Sequence, residues 1–403
     1  MRQFMRILVE SDPESTPDLL DEAWDNPATF ALLPAKTPVS EDWVRAGLDQ
    51  LPESLRENHF ALLSSGSTGR PVLVVGSRQR AVELVRVLHR HQKSDPVKET
   101  PLLLPLSYCY AFVNQWLWAR VHDRRLVATG GLLYPGIVER TLTNAEDAML
   151  CLVGAQVPLL IRRFKSTTFP DVIRLHFAGG PFPGQYLDAI RDLFPNAVIF
   201  NNYGCVEAMP RLTVRLVGAF LDPTDIGHPL PGIELKTDAE GGLRFRSPFG
   251  AVAFYDDDGL RVIDDIGFIP TGDRGFQTAD GSWRLQGRNN EVFKRFGEKI
   301  ALPALLGTVG TVWGGSAAFY RENDDSGEPA HVLVLAPPPT DDEVQVLLRA
   351  FGRSHPRSHW PLRIESLQAL PVTPNGKVDV TGLATSAGRN VHWRQRAIAN
   401  RHP

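Results

Sequence analysis

The chain has 403 residues and a mass of 44.6 kDa, a length that predicts two or three domains and excludes a peptide-sized or disulfide-stapled architecture. Apolar residues make up 43 % and charged residues 22 % of the sequence, which is typical of globular proteins and not of disordered or collagen-like ones. The 43 Lys and Arg residues nearly balance the 46 Asp and Glu residues, for a net charge of −3. The charge therefore gives no reason to expect a nucleic-acid partner or a membrane surface.

The three cysteines, Cys109, Cys151 and Cys205, are far apart and form no C-x-x-C pair, so we expect free thiols in a reducing compartment. Residues 1–10 offer no apolar stretch long enough for a secretory signal. The longest apolar run, residues 149–161, contains Gly and Pro and is too short to span a bilayer. We therefore expect a cytoplasmic protein without a membrane partner.

From about Asn58 to Tyr203, short apolar runs alternate with helical periodicity. Val82, Val85 and Leu88 recur at a spacing of three and predict a helix over residues 78–91. The expected strands in this part of the chain are residues 59–63, 72–75, 102–104, 157–161, 172–177 and 198–200. The alternation predicts an α/β sheet with helices on its faces.

The second half of the chain has a different pattern. After Ala208, short strand-like runs with Gly, Pro and Asp turns predict a small β-rich subdomain at about residues 210–286. Further strands at residues 317–320, 331–335 and 362–367, with a helix at 341–351, predict a small α+β domain. The tail from residue 380 has four arginines and no acidic residue, so we expect a solvated end. The predicted domains are residues 1–289 and 290–403.

A loop rich in Gly and Ser lies between two of the predicted strands, at residues 64–71 (Ser-Ser-Gly-Ser-Thr-Gly-Arg-Pro). Glycines let the backbone turn tightly and expose its N–H groups, and hydroxyls add donors, so the loop could wrap phosphate oxygens. No Gly-Lys-Ser/Thr follows, which excludes a Walker A loop. Taken alone, the pattern is equally typical of a plain surface turn.

Two acidic residues follow strand-like runs. Glu207, in Asn202-Tyr203-Gly204-Cys205-Val206-Glu207, would sit at the carboxyl end of a strand, where open α/β sheets form ligand crevices. A carboxylate there suits Mg²⁺ bound to nucleotide phosphates. Asp273, in a Thr-Gly-Asp turn, could grip two ribose hydroxyls. Singly, a solvated glutamate and an Asx-turn explain both residues as well.

Two basic segments lie near and beyond the expected domain boundary. Residues 287–297 are dense in polar and basic side chains, which also suits an exposed linker. Residues 371–379 place Lys377 directly after an Asn-Gly turn, where a lysine is usually a solvated tip. Neither segment predicts a function by itself.

Taken together, and in this order, the five segments indicate a function that none of them indicates alone. Each resembles a core motif of the adenylate-forming superfamily, which comprises acyl- and aryl-CoA synthetases, adenylation domains of nonribosomal peptide synthetases, and firefly luciferase. They stand in the order of that family between Ser64 and Asp379, and the resemblance leaves out about the first fifty residues. It implies an α/β enzyme in which a carboxylate attacks the α-phosphorus of ATP, expels pyrophosphate and forms an acyl-adenylate that a thiol then captures.

The resemblance also implies roles for individual residues at the nucleotide. The phosphate loop would be Ser64, Ser65, Gly66, Ser67, Thr68 and Gly69, and the adenine site would be lined by Gly179, Gly180 and Pro181, with Asn202 and Gly204 nearby. Tyr203 would stack on adenine, and Glu207 would hold Mg²⁺. Asp273 would bind the ribose hydroxyls, with Arg288 close to it.

Lys377 resembles the lysine that reaches the acyl carboxylate and the bridging phosphate region, where an ammonium neutralises charge that builds up during in-line displacement. The resemblance further implies that the C-terminal domain swings about a hinge, here Asn290, between the two half-reactions. Lys377 would leave the site in the second step, and residues 294–299 would come in beside the thiol.

Three positions depart from the family pattern. Val72 replaces the usual lysine after the phosphate-loop proline, Val206 replaces a threonine that would contact the α-phosphate, and the hinge is Asn290 where Asp or Lys is commoner. We expect a reduced ATP affinity or rate from the loss at position 206. Because Glu207 and Lys377 remain, we do not expect an inactive enzyme.

The acyl pocket would begin at residues 105–115, with Tyr108, Phe112 and Cys205 as expected lining residues. Amino acid activators place an aspartate there because a buried ammonium needs a partner. No Asp or Glu occurs between Thr100 and Val121. The sequence therefore favours an aryl or short acyl acid over an α-amino acid, although aromatic residues at helical spacing are more often core than pocket.

The expected acceptor is a phosphopantetheine thiol on a carrier protein, because residues 294–300 resemble those of carrier-loading relatives. Free CoA remains an alternative, and a catalytically weak nucleotide-binding scaffold is a second one, motivated by Val72 and Val206. The phosphate loop begins at Ser64, where relatives usually have well over a hundred preceding residues, so we expect a stand-alone enzyme with a reduced N-terminal subdomain.

Overall fold

The computed structural model describes residues 5–64, 71–180, 182–218, 222–263, 267–288, 291–296, 298–324, 326–372 and 378–395. The chain divides into two compact units, Met1–Leu285 and Gln286–Pro403. Within the described ranges, no helix has both the length and the apolar character that crossing a membrane requires.

The strands and helices are as follows, in chain order. The strands are β1 (Arg6–Glu10), β2 (Phe30–Pro34), β3 (His59–Ser64), β4 (Val72–Ser77), β5 (Glu99–Leu102), β6 (Arg125–Ala128), β7 (Ala148–Val153), β8 (Val172–Ala178), β9 (Val198–Tyr203), β10 (Thr213–Leu216), β11 (Asp225–Pro229), β12 (Glu234–Thr237), β13 (Gly242–Arg246), β14 (Ala253–Asp256), β15 (Gly259–Val262), β16 (Ile269–Gln277), β17 (Trp283–Arg288), β18 (Val292–Arg295), β19 (Glu298–Ala301), β20 (Ser316–Asn323), β21 (Pro329–Ala336), β22 (Arg363–Ser366) and β23 (Asn390–Arg394). The helices are α1 (Thr16–Asp25), α2 (Glu41–Asp49), α3 (Arg78–His91), α4 (Cys109–Ala111), α5 (Trp118–Val121), α6 (Pro135–Thr143), α7 (Val157–Arg163), α8 (Leu187–Leu193), α9 (Leu302–Gly310), α10 (Asp341–Ser354) and α11 (Val380–Thr385).

The larger of two sheets in the first unit supplies the edge on which the site is built. In the described part of the chain its strand order is β12-β13-β16-β17-β11-β10-β9-β8-β7-β5-β6. The strands β6, β5, β7, β8 and β9 pair in parallel, and β7 is buried along nearly its whole length, as expected for a strand covered on both faces. The predicted α/β fold class is confirmed.

A second sheet starts from the N-terminal residues. Its order among the described strands is β1-β2-β3-β4-β14-β15, with β1, β2 and β3 in parallel register. The predicted region at about residues 210–286 thus supplies strands to both sheets: β14 and β15 extend this one, and β10 to β13, β16 and β17 extend the larger one. In the structure described here, these strands form no sheet of their own.

A helical stretch over residues 109–121 covers the parallel strands. It consists of α4, a π-helical turn at Phe112–Leu117 and α5. Its apolar side chains belong to the main hydrophobic core, which also includes Phe60, Met149 and Phe200. The helix α3 runs over the predicted residues 78–91 and carries buried Leu84, Val85 and Leu88.

Three predicted elements differ from the structure, and the first is the strand expected at residues 102–104, which instead spans Glu99–Leu102. Residues 157–161 form the start of helix α7 and not a strand, with Pro158 in the first turn, where its missing N–H costs nothing. Residues 380–403 are not simply a solvated end, because α11 and β23 lie within them and β23 pairs with β22.

The second unit contains a sheet in the order β20-β21-β22-β23 over the described residues, with α9 and α10 packed on its core. The helix α10 begins with a capping box, in which Thr340 and Glu343 satisfy each other's backbone N–H groups. The strands β18 and β19 form an antiparallel hairpin that contains the segment predicted at residues 294–299.

Candidate active site

The candidate site lies at the carboxyl edge of the parallel strands. The strands β5, β7, β8 and β9 end at Leu102, Val153, Ala178 and Tyr203. Because the carboxyl ends of parallel strands meet at one edge of a sheet, the segments that follow these strands start from the same edge, where open α/β sheets bind ligands. Those segments include the predicted residues Tyr108, Gly179, Gly180 and Glu207.

The structure brings together Tyr203 and Asp273, two of the residues predicted at the nucleotide. Tyr203 ends β9, and its hydroxyl donates to Oδ2 of Asp273, on β16, at 2.6 Å. Burial raises the pKa of Tyr203 well above its ordinary value, and the negative charge of Asp273 is the second-largest cause of this rise. The phenol therefore stays protonated, and its donation to Asp273 fixes the position of the carboxylate.

Glu207 lies in the short 3-10 turn Val206–Ala208 that follows β9. Its carbonyl oxygen accepts the N–H of Ala251 at 2.9 Å, which ties this turn to the segment before β14. Burial raises the pKa of the Cys205 thiol well above its ordinary value, and the negative charge of Glu207 is the second-largest cause of this rise. Cys205 therefore remains a neutral thiol beside Glu207.

The donor chemistry at this edge fits magnesium carried on a nucleotide. Among the residues that the structure describes, no group of three or more His, Cys, Asp or Glu side chains could hold a metal ion by itself. Mg²⁺, however, is commonly bound through one or two carboxylates, with phosphates and water filling its remaining positions. The half-buried Glu207 carboxylate meets that requirement.

Gly204 is required by the close passage of two backbone segments. A Cβ at this position would lie 1.9 Å from the carbonyl oxygen of Pro210, a distance no packing adjustment of a side chain can relieve. We expect Gly204→Ala to lower stability by about 3 kcal/mol or more, measured by denaturant unfolding.

Gly136→Ala is the control for this prediction. It lies in α6, and a Cβ there would meet nothing within 4 Å, so stability should stay the same or rise by up to about 1 kcal/mol. Equal stability of the two variants would contradict the assigned constraint at Gly204.

Three other residues predicted to bind the nucleotide, Gly179, Gly180 and Asn202, also lie at this edge. Gly179 has φ +80°, a conformation that favours glycine, and a Cβ on Gly180 would meet nothing within 4 Å. The Asn202 side chain is used within the protein: it donates to the carbonyl of Phe177 at 3.1 Å and accepts from Gln92 at 3.0 Å. Asn202 thus ties β9 to β8 and α3, and its contact with a nucleotide stays a prediction.

The predicted acyl-pocket residues lie around the start of the helical stretch. Tyr108 directly precedes α4 and is half-buried, and burial, followed by the charge of Glu10, raises the pKa of its phenol. Phe112 is fully buried, with its ring centroid 4.8 Å from those of Phe60 and Trp116. The structure therefore places Phe112 in the hydrophobic core, and a substrate contact for it stays a prediction.

Glu10 was missed by the sequence reading. It ends β1, and its two carboxylate oxygens accept the N–H groups of Leu106 and Ser107 at 2.7 and 2.8 Å. These charge-assisted bonds fix the loop before Tyr108. Nothing local in the sequence signals this contact, because the partners are 96 and 97 residues apart.

Arg211 was missed as well. It stands four residues after Glu207, its side chain is 1 % exposed, and its Nε donates to Oδ1 of Asn114 at 3.0 Å. Its guanidinium lies 4.9 Å from the centre of the Tyr110 ring. A buried cation in this position could have been suspected from the arginine in the apolar run after Glu207.

Several predicted residues cannot be compared with this geometry. Ser64 ends β3 and pairs with Val72, but residues 65–69, Pro181, Asn290 and Lys377 lie outside the described residues. Arg288 ends β17 in an exposed position, and its backbone N–H donates to Glu291 at 2.9 Å.

Comparison with known proteins places this geometry in a family. The family model for AMP-binding enzymes matches residues 6–248, more than half of the chain. The match begins at residue 6, so the N-terminal residues that the motif resemblance left out belong to the family region. A curated relative, the D-alanine–D-alanyl carrier protein ligase of Staphylococcus haemolyticus (strain JCSC1435), is 24 % identical over 353 residues, covering 79 % of this chain and 69 % of that protein.

Solved structures agree with the fold. The o-succinylbenzoate CoA synthetase (MenE) of Bacillus subtilis, in complex with the acyl-adenylate intermediate OSB-AMP, superposes with a TM-score of 0.75 at 14 % identity, over 96 % of this chain and 88 % of that one. The same enzyme in complex with ATP and magnesium ion gives a TM-score of 0.70 at 14 % identity, over 94 % and 89 %. The chain belongs to the AMP-binding enzymes of the adenylate-forming superfamily and is an adenylate-forming ligase.

Proposed function

We propose that this ligase activates an aryl or short acyl carboxylic acid with ATP and transfers the acyl group to the phosphopantetheine thiol of a carrier protein. The observation that carries the proposal is the hydrogen bond between Tyr203 and Asp273, next to the turn that holds Glu207. An aromatic ring and two carboxylates lie close together near the carboxyl edge of the sheet, and this supports a nucleotide site there.

Each of these residues has one part in the first half-reaction. Tyr203 stacks on the adenine, and Asp273 accepts the ribose hydroxyls. Glu207 holds the magnesium ion, which when bound neutralises charge on the phosphates. Lys377 binds the acyl carboxylate and the α-phosphate, and residues 64–69 surround the departing pyrophosphate.

The acid is proposed to lack an α-ammonium group. No carboxylate occurs between Thr100 and Val121, and the cation buried against this segment is Arg211. A substrate ammonium would be repelled by the guanidinium and would find no partner in the segment. The named substrate of the D-alanine-activating relative is therefore not carried over to this chain.

The acceptor is proposed to be a carrier protein because the hairpin β18–β19 includes the segment that resembles carrier-loading relatives. The relative from Staphylococcus haemolyticus is by name a carrier protein ligase, whereas the MenE structures are named CoA synthetases. In the proposed cycle the second unit moves about Asn290, so that residues 294–299 act in thioester formation. A cytoplasmic location belongs to the same proposal.

The activity is tested by acid-dependent exchange of pyrophosphate into ATP, with a panel of aryl acids, short acyl acids and amino acids. Exchange with an acid that has no α-amino group is the expected result. Incubation with a phosphopantetheine-loaded carrier protein, or with CoA, then separates the two acceptors by a mass shift of the carrier or release of acyl-CoA.

A nucleotide-binding scaffold is the second candidate. It is favoured by two departures from the family pattern: Val206 stands in the place of a threonine, and Val72 stands in the place of a lysine. Both side chains are partly buried against the hydrophobic core, where neither can contact a phosphate oxygen through a hydrogen bond. ATP binding without exchange for any acid would support the scaffold and overturn the enzyme proposal.

The role of Asp273 gives a separate prediction. Asp273→Asn removes the charge that accepts the ribose hydroxyls, and we expect the KM for ATP to rise about tenfold or more, since hydrogen bonds to charged groups contribute about 1.5–3 kcal/mol. The exchange assay at varied ATP concentration measures it. Tyr203→Phe, which keeps the ring and loses the bond to Asp273, should show a smaller rise, and an unchanged KM in both variants would remove these residues from the nucleotide site.

A further inference from the structure

Exposed apolar side chains gather beyond strand β6, on the segments that lead into α6 and α7. Leu133 is 88 % exposed, Tyr134 is 56 % exposed, and Ile137 on α6 and Leu159 on α7 are exposed as well. Single exposed apolar side chains are ordinary on protein surfaces, whereas a contiguous group marks an interaction site. These four residues are called the edge patch below.

The two parts of the edge patch are neighbours in the fold. The carbonyl oxygen of Leu103 accepts a hydrogen bond from the Gln156 side chain, just before α7, at 2.9 Å. A Cβ on Gly131, just before Leu133 in the chain, would lie 3.5 Å from the same oxygen. The buried faces of α6 and α7 also belong to one hydrophobic cluster, so their exposed side chains border a common surface.

The turn that carries Leu133 is held by specific contacts. The hydroxyl of Thr129 donates to the carbonyl of Leu102 and accepts the N–H of Gly131 at 3.1 Å. Gly130 has φ +70°, and a Cβ there would lie 2.5 Å from the Tyr134 ring, so this ring rests directly on the backbone. The exposure of Leu133 therefore belongs to a defined turn and not to a frayed end.

Positive charge continues the edge patch along α7. Arg162 and Arg163 stand three and four residues after Leu159, which places all three on one face of the helix. Both arginines are exposed, and no hydrogen bond or ion pair engages either side chain within the described residues. No Asp or Glu occurs between residues 148 and 170. This face therefore complements a partner that is acidic and carries apolar side chains beside its charges.

The edge patch starts next to the loop that leads to the proposed acyl pocket. The strands β5 and β6 pair in parallel, with Leu102 opposite Ala128, so Leu103 and Thr129 leave the sheet side by side at its carboxyl edge. The first of these two segments leads to Tyr108, where the acyl pocket is proposed to begin. A partner seated on the edge patch is thus close to the acyl group.

We infer that the edge patch, together with Arg162 and Arg163, docks the carrier protein through the acidic helical surface from which its phosphopantetheine arm extends. The inference rests on the proposed function, because only a carrier acceptor calls for a docking surface. The position favours this partner over an anionic lipid surface. A thiol reaches only as far as its arm extends, so its carrier must sit near the acyl group, whereas a lipid surface could hold the protein by any face.

The experiment measures the KM of an acidic, phosphopantetheine-loaded carrier protein in acyl loading, beside transfer to free pantetheine. Leu133→Ser combined with Leu159→Ser removes apolar contacts, and Arg162→Glu combined with Arg163→Glu reverses the charge. Each double variant should raise the carrier KM about tenfold or more, as expected when central interface residues are lost. Pyrophosphate exchange and transfer to pantetheine should stay unchanged. The wild-type carrier KM should rise with salt concentration.

Leu19→Ser and Arg45→Glu are the matched controls. Leu19 on α1 is 42 % exposed, close to the 45 % of Leu159, and Arg45 is an exposed arginine on α2. The buried face of α2 packs in a different hydrophobic cluster from that of α7. Both controls should keep the wild-type carrier KM. An equal rise in the controls would show a general effect of charge or stability and would overturn the inference.

The remaining outcomes separate the docking surface from the proposed function. Carrier loading with the wild-type KM in both double variants overturns the inference and leaves the proposed function intact. Pyrophosphate exchange without carrier loading by the wild-type protein overturns the carrier acceptor and this inference, while acyl-adenylate formation stands. Binding to phosphatidylglycerol vesicles that both double variants lose, with an unchanged carrier KM, would assign the edge patch to a lipid surface and overturn the inference.

Discussion

Replacing Glu207 with glutamine is expected to slow acid-dependent pyrophosphate exchange about 100-fold or more, in the range found when one group that stabilises transition-state charge is removed. The physical reason is the loss of the carboxylate that would hold magnesium at the phosphates. The turn Val206–Ala208 is anchored through backbone bonds, which glutamine preserves, so the variant should fold normally.

The measurement is the exchange rate at saturating acid, with magnesium varied over a wide range. Part of the loss in Glu207→Gln should be recovered at high magnesium, because the defect includes weaker binding of the metal. Glu234→Gln is the matched control: Glu234 is exposed, and its carboxylate pairs with Arg246 on β13. Exchange within threefold of wild type in Glu207→Gln would refute the assignment of Glu207.

Lys377→Ala is expected to separate the two half-reactions. An ammonium at the acyl carboxylate and α-phosphate stabilises charge in the first step, and its removal should reduce adenylation about 100- to 1,000-fold, by analogy with loss of one oxyanion-stabilising group. In the proposed cycle this lysine leaves the site for the second step. Transfer from a synthetic acyl-adenylate to the thiol should therefore proceed at nearly the wild-type rate.

The two rates are measured separately, exchange for adenylation and thioester formation from added acyl-adenylate for transfer. Lys165→Ala, at an exposed position just beyond α7, controls for loss of a lysine and should leave both rates unchanged. A proportional loss in both half-reactions of Lys377→Ala would contradict the domain movement. Wild-type adenylation in this variant would contradict the role of Lys377.

Much of the fold could be predicted because its patterns are local. The helix over residues 78–91 was visible in the spacing of three apolar side chains, and its N-cap Ser77 accepts the N–H of Arg80 in the structure. Residues 157–161 could not be assigned in the same way, because a short apolar run suits a buried strand or a buried helix equally. Proline in the first turn favours the helix.

The pairing of strands that are far apart in the sequence could not be predicted from local patterns. The strands at about residues 210–286 were recognised as β structure, but their distribution over two sheets depends on pairings such as β14 with β4. The N-terminal residues looked uninformative, yet β1 and β2 start a sheet, and Glu10 reaches the loop before Tyr108.

The candidate site could be predicted only as far as family motifs extend. Tyr203 and Asp273 are 70 residues apart and form a hydrogen bond. From the sequence, only the family resemblance predicted that both residues belong to one site. Arg211 belongs to none of these motifs, and its guanidinium is buried beside Asn114 and Tyr110. Such a property depends on the folded surroundings and is not written in any short stretch of sequence.

Acid-dependent pyrophosphate exchange is the most direct test of the central claim, that this chain forms acyl-adenylates from a carboxylic acid without an α-amino group. We expect exchange with at least one such acid and none with the matched α-amino acid, and we expect the signal to be lost in Glu207→Gln. Exchange with amino acids alone would contradict the substrate class, and ATP binding without exchange for any acid would contradict the claim itself.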